Sequence, residues 1–167
     1  SDVYKRQTSI NPGPSKAETV ATIAAPQSIW QRFQSQASLP GCTAGSDSHD
    51  WAVWYGKRQE YMDRVFNRAE PWLHDIMDEL AARQLPIDLA FLPVVESAFD
   101  PFATSHGRAV GTWQFVRGTA TDFGLTVNDW YDGRRDVYAA TRAALDYLRY
   151  LFTEFNDDWE MSLAAYN

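Results

Sequence analysis

The sequence predicts a mainly helical domain with a small strand-like element, and three features predict it. Apolar residues recur at helical spacing along most of the chain between Ser28 and Phe155. Strand-like material is confined to the neighbourhood of residues 96–111, and there is no internal repeat. At 167 residues, 45% hydrophobic and 22% charged, the chain suits one globular domain with an additional helical layer and can bury a real core.

Taken in order, residues 1–7 resemble translated sequencing-adapter read-through and are set aside from the fold. Residues 8–27 are rich in Pro, Ser, Thr and Ala without periodicity and read as a linker or disordered arm. Ser28 caps a first helix with Ile29, Trp30, Phe33 and Ala37 roughly on one face. Residues 39–50 read as a loop. Helical spacing resumes at Trp51, Trp54 and Tyr55, breaks at Arg58, and continues through Tyr61, Met62, Val65, Phe66 and Ala69. Pro71 is expected to restart the helix at a favoured first-turn position, followed by the stripe Trp72, Leu73, Ile76, Met77, Leu80 and Ala81. Residues 28–84 thus form a helical scaffold without visible chemistry.

A second unit is expected over residues 85–167. Residues 87–97 are apolar nearly all round and read as a buried helix, kinked or broken at Pro93. Residues 97–111 read as a loop or short hairpin. Thr119 and Asp122 have capping-box spacing, with Gly124 as the stop. Residues 128–135 form another loop. A long helix starts near Asp136, with the stripe Val137, Ala140, Ala144, Leu145, Leu148, Leu151, Phe152 and Phe155. It breaks at residues 156–158, and Asp157 with Glu160 opens a last helix.

Charge narrows the function. The net charge is −7, and residues 1–96 and 97–167 carry 9 and 6 basic against 12 and 10 acidic groups. Neither half is a basic patch, which argues against nucleic acid or an anionic membrane surface as the main partner. Cys42 is the sole cysteine, so no internal disulfide forms. Its Leu39-Pro40-Gly41-Cys42 setting superficially resembles a lipoprotein cleavage site, but polar residues precede it, and a plain loop cysteine is the better reading. His49, His74 and His106 are scattered and match no metal-ligand spacing, so neither metal nor cofactor is expected.

The chemistry concentrates on Glu96. This carboxylate follows Ala90-Phe91-Leu92-Pro93-Val94-Val95 and precedes Ser97-Ala98-Phe99, so its neighbours tend to bury it. Burial disfavours the charged form, which keeps an acid protonated nearer neutral pH. It is either a structural partner of an arginine such as Arg108 or a general acid. Glycosidic cleavage usually needs two carboxylates, and the nearest, Asp100, precedes Pro101 and looks like a turn former. Ser105-His106 has no glycine-flanked elbow for a serine nucleophile. Residues 107–111 lack the lysine of a phosphate loop. Trp113, Trp130 and Tyr131 read either as core rings or as sugar-stacking surfaces.

Four segments resemble the successive motifs of the soluble-type lytic murein transglycosylase domain, glycoside hydrolase family 23: Glu96-Ser97-Ala98-Phe99-Asp100-Pro101, Ala103-Thr104-Ser105, Gly111-Thr112-Trp113-Gln114-Phe115 and Ala165-Tyr166-Asn167. Ser105 stands nine and Gln114 eighteen residues after the glutamate, as in the family pattern. Trp30-Gln31, Arg68-Ala69-Glu70-Pro71, Leu92-Pro93-Val94-Val95-Glu96-Ser97 and Tyr131-Asp132-Gly133-Arg134-Arg135-Asp136-Val137 are similar to its membrane-bound D subgroup. Thr112 departs from the aliphatic residue usual there.

The resemblance implies a lysozyme-like α+β fold, mainly helical around a sugar-binding cleft. It also implies non-hydrolytic cleavage of the β-1,4 bond between N-acetylmuramic acid and N-acetylglucosamine, with a single glutamate serving as acid and then base. By that likeness Glu96 is the acid/base. Ser105 polarises or positions it or the N-acetyl group, Gln114 and Tyr166 contact sugar near the scissile bond, and Trp113 and Val116 line the cleft. The partner is then the peptidoglycan glycan strand, in the periplasm or cell envelope. The chain is expected to be a fragment open at both ends, which leaves room for an upstream membrane tether and downstream peptidoglycan-binding repeats. A goose-type muramidase and a non-catalytic peptidoglycan-binding helical module are the alternatives.

Overall fold

In the computed structural model, residues 28–39 and 47–167 are described, without the side chains of 47 and 48. The linker reading of residues 1–27 and the reading of Cys42 lie outside the described residues. Among the described residues seven α-helices and two 3-10 turns follow one another. Helix α1 (Ile29–Gln36) is started by a capping box, in which Ser28 Oγ accepts from the Gln31 amide and Gln31 Oε1 from the Ser28 amide. Its Trp30 and Phe33 pack on Phe91, with ring centres 5.9 and 4.8 Å away. Asp88 then accepts from the amides of Ser38 and Leu39 as the chain leaves the helix.

Helix α2 (Asp47–Gly56) begins before the expected loop ends. Acidic Asp50 suits the positive end of a helix, and Trp51, Trp54 and Tyr55 pack against one another at helical spacing, with Trp51 ring centres 5.8 and 6.4 Å from the other two. The break at Arg58 is present. Helix α3 (Gln59–Ala82) then runs straight through Pro71 instead of restarting there. An interior proline costs about 3 kcal/mol. The buried stripe Val65, Ala69, Leu73, Ile76, Met77 and Leu80 lies on both sides of it and holds the helix together, with the proline ring on the exposed face.

The apolar segment after Pro86 is two elements rather than one helix. A 3-10 turn, Ile87–Phe91, joins α4 (Leu92–Ser97), so the break precedes Pro93 and places that residue in the first turn of α4. A continuous α-helix would ask Pro93 for an amide that it lacks and drive its ring into the Leu89 carbonyl. Helix α5 (Arg117–Asp122) is likewise not started by Thr119; it begins after Val116, which has no side-chain cap. Val116 is already extended as it leaves the Val110–Phe115 bridge, so the helix starts at once. Gly124, at φ +83°, ends it as expected.

After the 3-10 turn Gly133–Arg135, helix α6 (Val137–Glu154) is capped by Asp136, whose Oδ1 accepts from the Ala139 amide at 3.0 Å. Asn156 and Asp157 take left-handed backbone conformations, so the cap of α7 (Trp159–Tyr166) is Asp158, one residue later than expected. Among the described residues the β element consists of isolated antiparallel bridges: Thr104 with Val110, Val110 with Phe115, and Val127 with Asp132. One core links α3, the first 3-10 turn and α6. Trp113 lies within it, fully buried, its Nε1 donating to Thr141 Oγ1 at 2.9 Å.

Candidate active site

Glu96 lies in the last turn of α4, and the chain around it is tied down on several sides. Ala98 and Phe99 both adopt left-handed backbone conformations, and their amides close the helix onto the carbonyls of Val94 and Pro93 at 3.2 and 3.1 Å. Two consecutive non-glycine residues in that region are strained, and such strain persists only where the surroundings enforce it. Here Phe99 is fully buried, and Arg68 of α3 donates to the Ala98 carbonyl. Ser97 Oγ donates to the Thr112 carbonyl at 2.8 Å, joining α4 to the opposite loop.

The carboxyl group of Glu96 has its pKa raised, and desolvation by burial is the cause. Its place at the carbonyl-rich end of a helix acts in the same direction. None of the ion pairs among the described residues includes Glu96, so the structural pairing with Arg108 does not occur. Asp100 is the turn former the sequence suggested, accepting from the Phe102 amide at 2.9 Å.

Glu96 lines a cleft of about 580 Å³ together with Ser105, Gln114, Val116, Tyr147 and Tyr166. Among the described residues it is the only carboxylate there. Ser105 closes a tight loop: its amide donates to the Ala109 carbonyl at 2.9 Å and its Oγ accepts from the Ala109 amide at 3.1 Å. Gln114, at φ +48°, donates from Nε2 to the Gly111 carbonyl at 2.9 Å, which leaves its side-chain oxygen for the cleft. Tyr166 donates its hydroxyl to the Trp113 carbonyl at 2.8 Å. Burial pushes its phenol well above the usual value, and the nearby Glu96 and Tyr147 add to this, so it stays a neutral donor.

The Trp113 ring does not line the cleft. It is fully buried and bonded to Thr141, and only its backbone carbonyl serves the site, through Tyr166. A large apolar ring with one polar handle gains more from the core than from a wet wall. Trp130 is 97% exposed and stands apart from the cleft. Tyr147 is a cleft residue the sequence reading missed; its ring lies 5.4 Å from Tyr166 and 4.9 Å from Phe123. Three residues after Ala144 and four before Leu151, it sits at the edge of the α6 stripe, and that spacing was the available signal. Among the described residues no group of acidic, histidine or cysteine side chains could hold a metal ion.

The model of the transglycosylase SLT domain matches residues 76–167, the stretch that carries every cleft residue named above. The chain belongs to this family. The helical architecture with its minimal β element is accordingly the lysozyme-like fold of an SLT domain. Membrane-bound lytic murein transglycosylase D of Escherichia coli (strain K12) is 43% identical over 113 residues, 68% of this chain and 25% of that protein. A protein of Alteromonas sp. (strain M-1), named for tributyltin chloride resistance, is 46% identical over 100 residues, 60% of this chain and 48% of that protein. Membrane-bound lytic murein transglycosylase F of Desulfosudis oleivorans (strain DSM 6200 / JCM 39069 / Hxd3) is 31% identical over 115 residues, 65% of this chain and 24% of that protein. The chain thus spans about a quarter of the length of the first of these relatives. No described helix is long and apolar enough to cross a membrane.

Proposed function

We propose that this SLT domain cleaves the glycan strands of peptidoglycan by lytic transglycosylation, with Glu96 as acid and then base. The observation that carries the reading is a desolvated carboxyl in a cleft that, among the described residues, offers no second carboxylate. An inverting hydrolase needs a second carboxylate to activate water, and a retaining one needs it as a nucleophile. In a site with one, the substrate's own hydroxyl can supply the second oxygen.

Protonated Glu96 gives its proton to the glycosidic oxygen between N-acetylmuramic acid and N-acetylglucosamine, and the bond from muramic C1 to that oxygen breaks. The resulting carboxylate removes the proton from the muramic 6-hydroxyl, whose oxygen bonds to C1 and closes a 1,6-anhydro ring. Glu96 ends protonated, no water is consumed, and a pKa raised toward the working pH suits both steps. Ser105 polarises or positions Glu96 or the N-acetyl group, Gln114 and Tyr166 contact sugar near the scissile bond, and Val116 is an apolar wall; all four line the same cleft as Glu96. The place of action is the periplasmic side of the cell envelope, where glycan strands are found. A membrane tether and peptidoglycan-binding repeats belong to the same proposal for the whole protein.

Mass spectrometry of the products that the full-length protein releases from purified sacculi tests the assignment. Anhydro-muropeptides are expected. Products with a reducing-end muramic acid would make it a hydrolytic muramidase, and binding without turnover would make it a recognition module.

A further inference from the structure

Two arginines in the 3-10 turn Gly133–Arg135 grip the loop that carries Ser105 and Gln114, and neither lines the cleft. Arg134 is 9% exposed, and its guanidinium commits four of its five donors inside the protein. Nε and Nη2 donate to the two oxygens of Asp132 at 2.8 and 2.7 Å. Nη1 donates to the carbonyls of Arg108 and Phe115, both at 3.3 Å. Arg108 belongs to the Ser105 turn, its amide donating to the Ser105 carbonyl at 3.0 Å, and Phe115 directly follows Gln114.

The backbone adds a third hold. Gly111 packs against the Arg134 carbonyl so closely that a Cβ there would lie 1.9 Å from that oxygen. Arg135 completes the grip, with Nη1 donating to the Phe102 carbonyl at 3.0 Å and Nη2 to Thr104 Oγ1 at 3.4 Å. One dipeptide therefore reaches both ends and the middle of residues 102–115. The fork geometry of arginine is what makes this reach; a lysine ammonium cannot bind both Asp132 oxygens side by side and also reach two carbonyls.

We infer that Arg134, oriented by Asp132, is a positioning residue that fixes the Ser105 turn and Gln114 opposite Glu96 before substrate enters. The inference rests on the proposed roles of Ser105 in positioning Glu96 or the N-acetyl group and of Gln114 in contacting sugar. It separates Arg134 from the many buried arginines that only support a fold, because its loss is felt through particular cleft residues.

The test uses the full-length protein with Arg134→Lys, Ser105→Ala and the double variant, assayed for kcat and KM on purified glycan strands beside the melting temperature. Arg134→Lys is expected to fold and to lose ten- to a hundredfold in kcat/KM, mostly in kcat, as misplacement of about 1 Å can cost on the order of a hundredfold. Ser105→Ala is expected to have little further effect in the Arg134→Lys background. Wild-type kcat/KM in Arg134→Lys, or losses that simply multiply in the double variant, would overturn the inference. Should Arg134→Lys not fold, Asp132→Asn, which releases the fork while keeping its shape, takes its place with the same expectations. Hydrogen exchange separates this inference from the functional reading. If the wild-type protein releases no product, that reading falls, and faster exchange at the Val110, Gly111 and Phe115 amides, with α6 unchanged, still supports the grip. Unchanged exchange at those amides overturns it.

Discussion

The Tyr166 hydroxyl and the Trp113 carbonyl are joined at 2.8 Å across 53 residues of sequence, and this bond ties helix α7 to the loop that carries Gln114. The two walls of the cleft meet there. Tyr166→Phe leaves the carbonyl without its donor. Stability is expected to fall by about 1 kcal/mol, and kcat/KM on glycan strands by about tenfold as Gln114 loses its support. Denaturant unfolding and steady-state kinetics check both; a variant unchanged in both contradicts the bond's role.

Glu96 is expected to make the fold less stable at neutral pH than a neutral side chain would. Its folded-state pKa is raised by burial, so between the ordinary carboxyl value and the raised one the folded state binds more protons than the unfolded. Stability therefore declines as pH rises through that window. Glu96→Gln should be the more stable protein above the window, and the difference should shrink as the pH falls below the ordinary carboxyl range. Melting temperatures of the two proteins across that range decide it; a gap that widens on acidification is the contrary result.

Thr112 Oγ1 is buried and has no hydrogen-bond partner. The useful bond at this position is made by the backbone, whose carbonyl accepts from Ser97. Thr112→Val keeps the shape and that carbonyl while removing the unsatisfied hydroxyl. It is expected to stabilise the protein by about 1 kcal/mol and to leave turnover unchanged. A loss of stability would mean that the hydroxyl is satisfied in solution.

Much of this was legible in the sequence where local chemistry decides the outcome. Ser28, Asp136 and Gly124 act as cap or stop where their residue types and positions indicate. The stripes of α3 and α6 face the core, except that Ala81 is exposed and Phe152 and Phe155 are only half-buried. Sequence reading failed where tertiary packing overrides a local signal: the buried stripe carries α3 through Pro71, and the extended Val116 sets the start of α5 ahead of Thr119. At the site, Glu96 was visible because a carboxylate amid apolar residues is conspicuous. The hold of Arg134 on residues 108 and 115 was not, because it depends on contacts distant in sequence. Trp113 illustrates the ambiguity of a large ring, which a motif can place beside a cleft while packing turns it inward.

Release of anhydro-muropeptides from sacculi by wild-type and Glu96→Gln protein, compared at equal folded concentration, puts the single-carboxylate mechanism at risk. With Glu96 the only carboxylate in the described cleft, nothing there can replace its proton. The rate should fall by about a hundredfold or more, since loss of a general acid typically has that effect, while the variant stays folded. Release at a tenth of the wild-type rate or faster would show that Glu96 is not the acid.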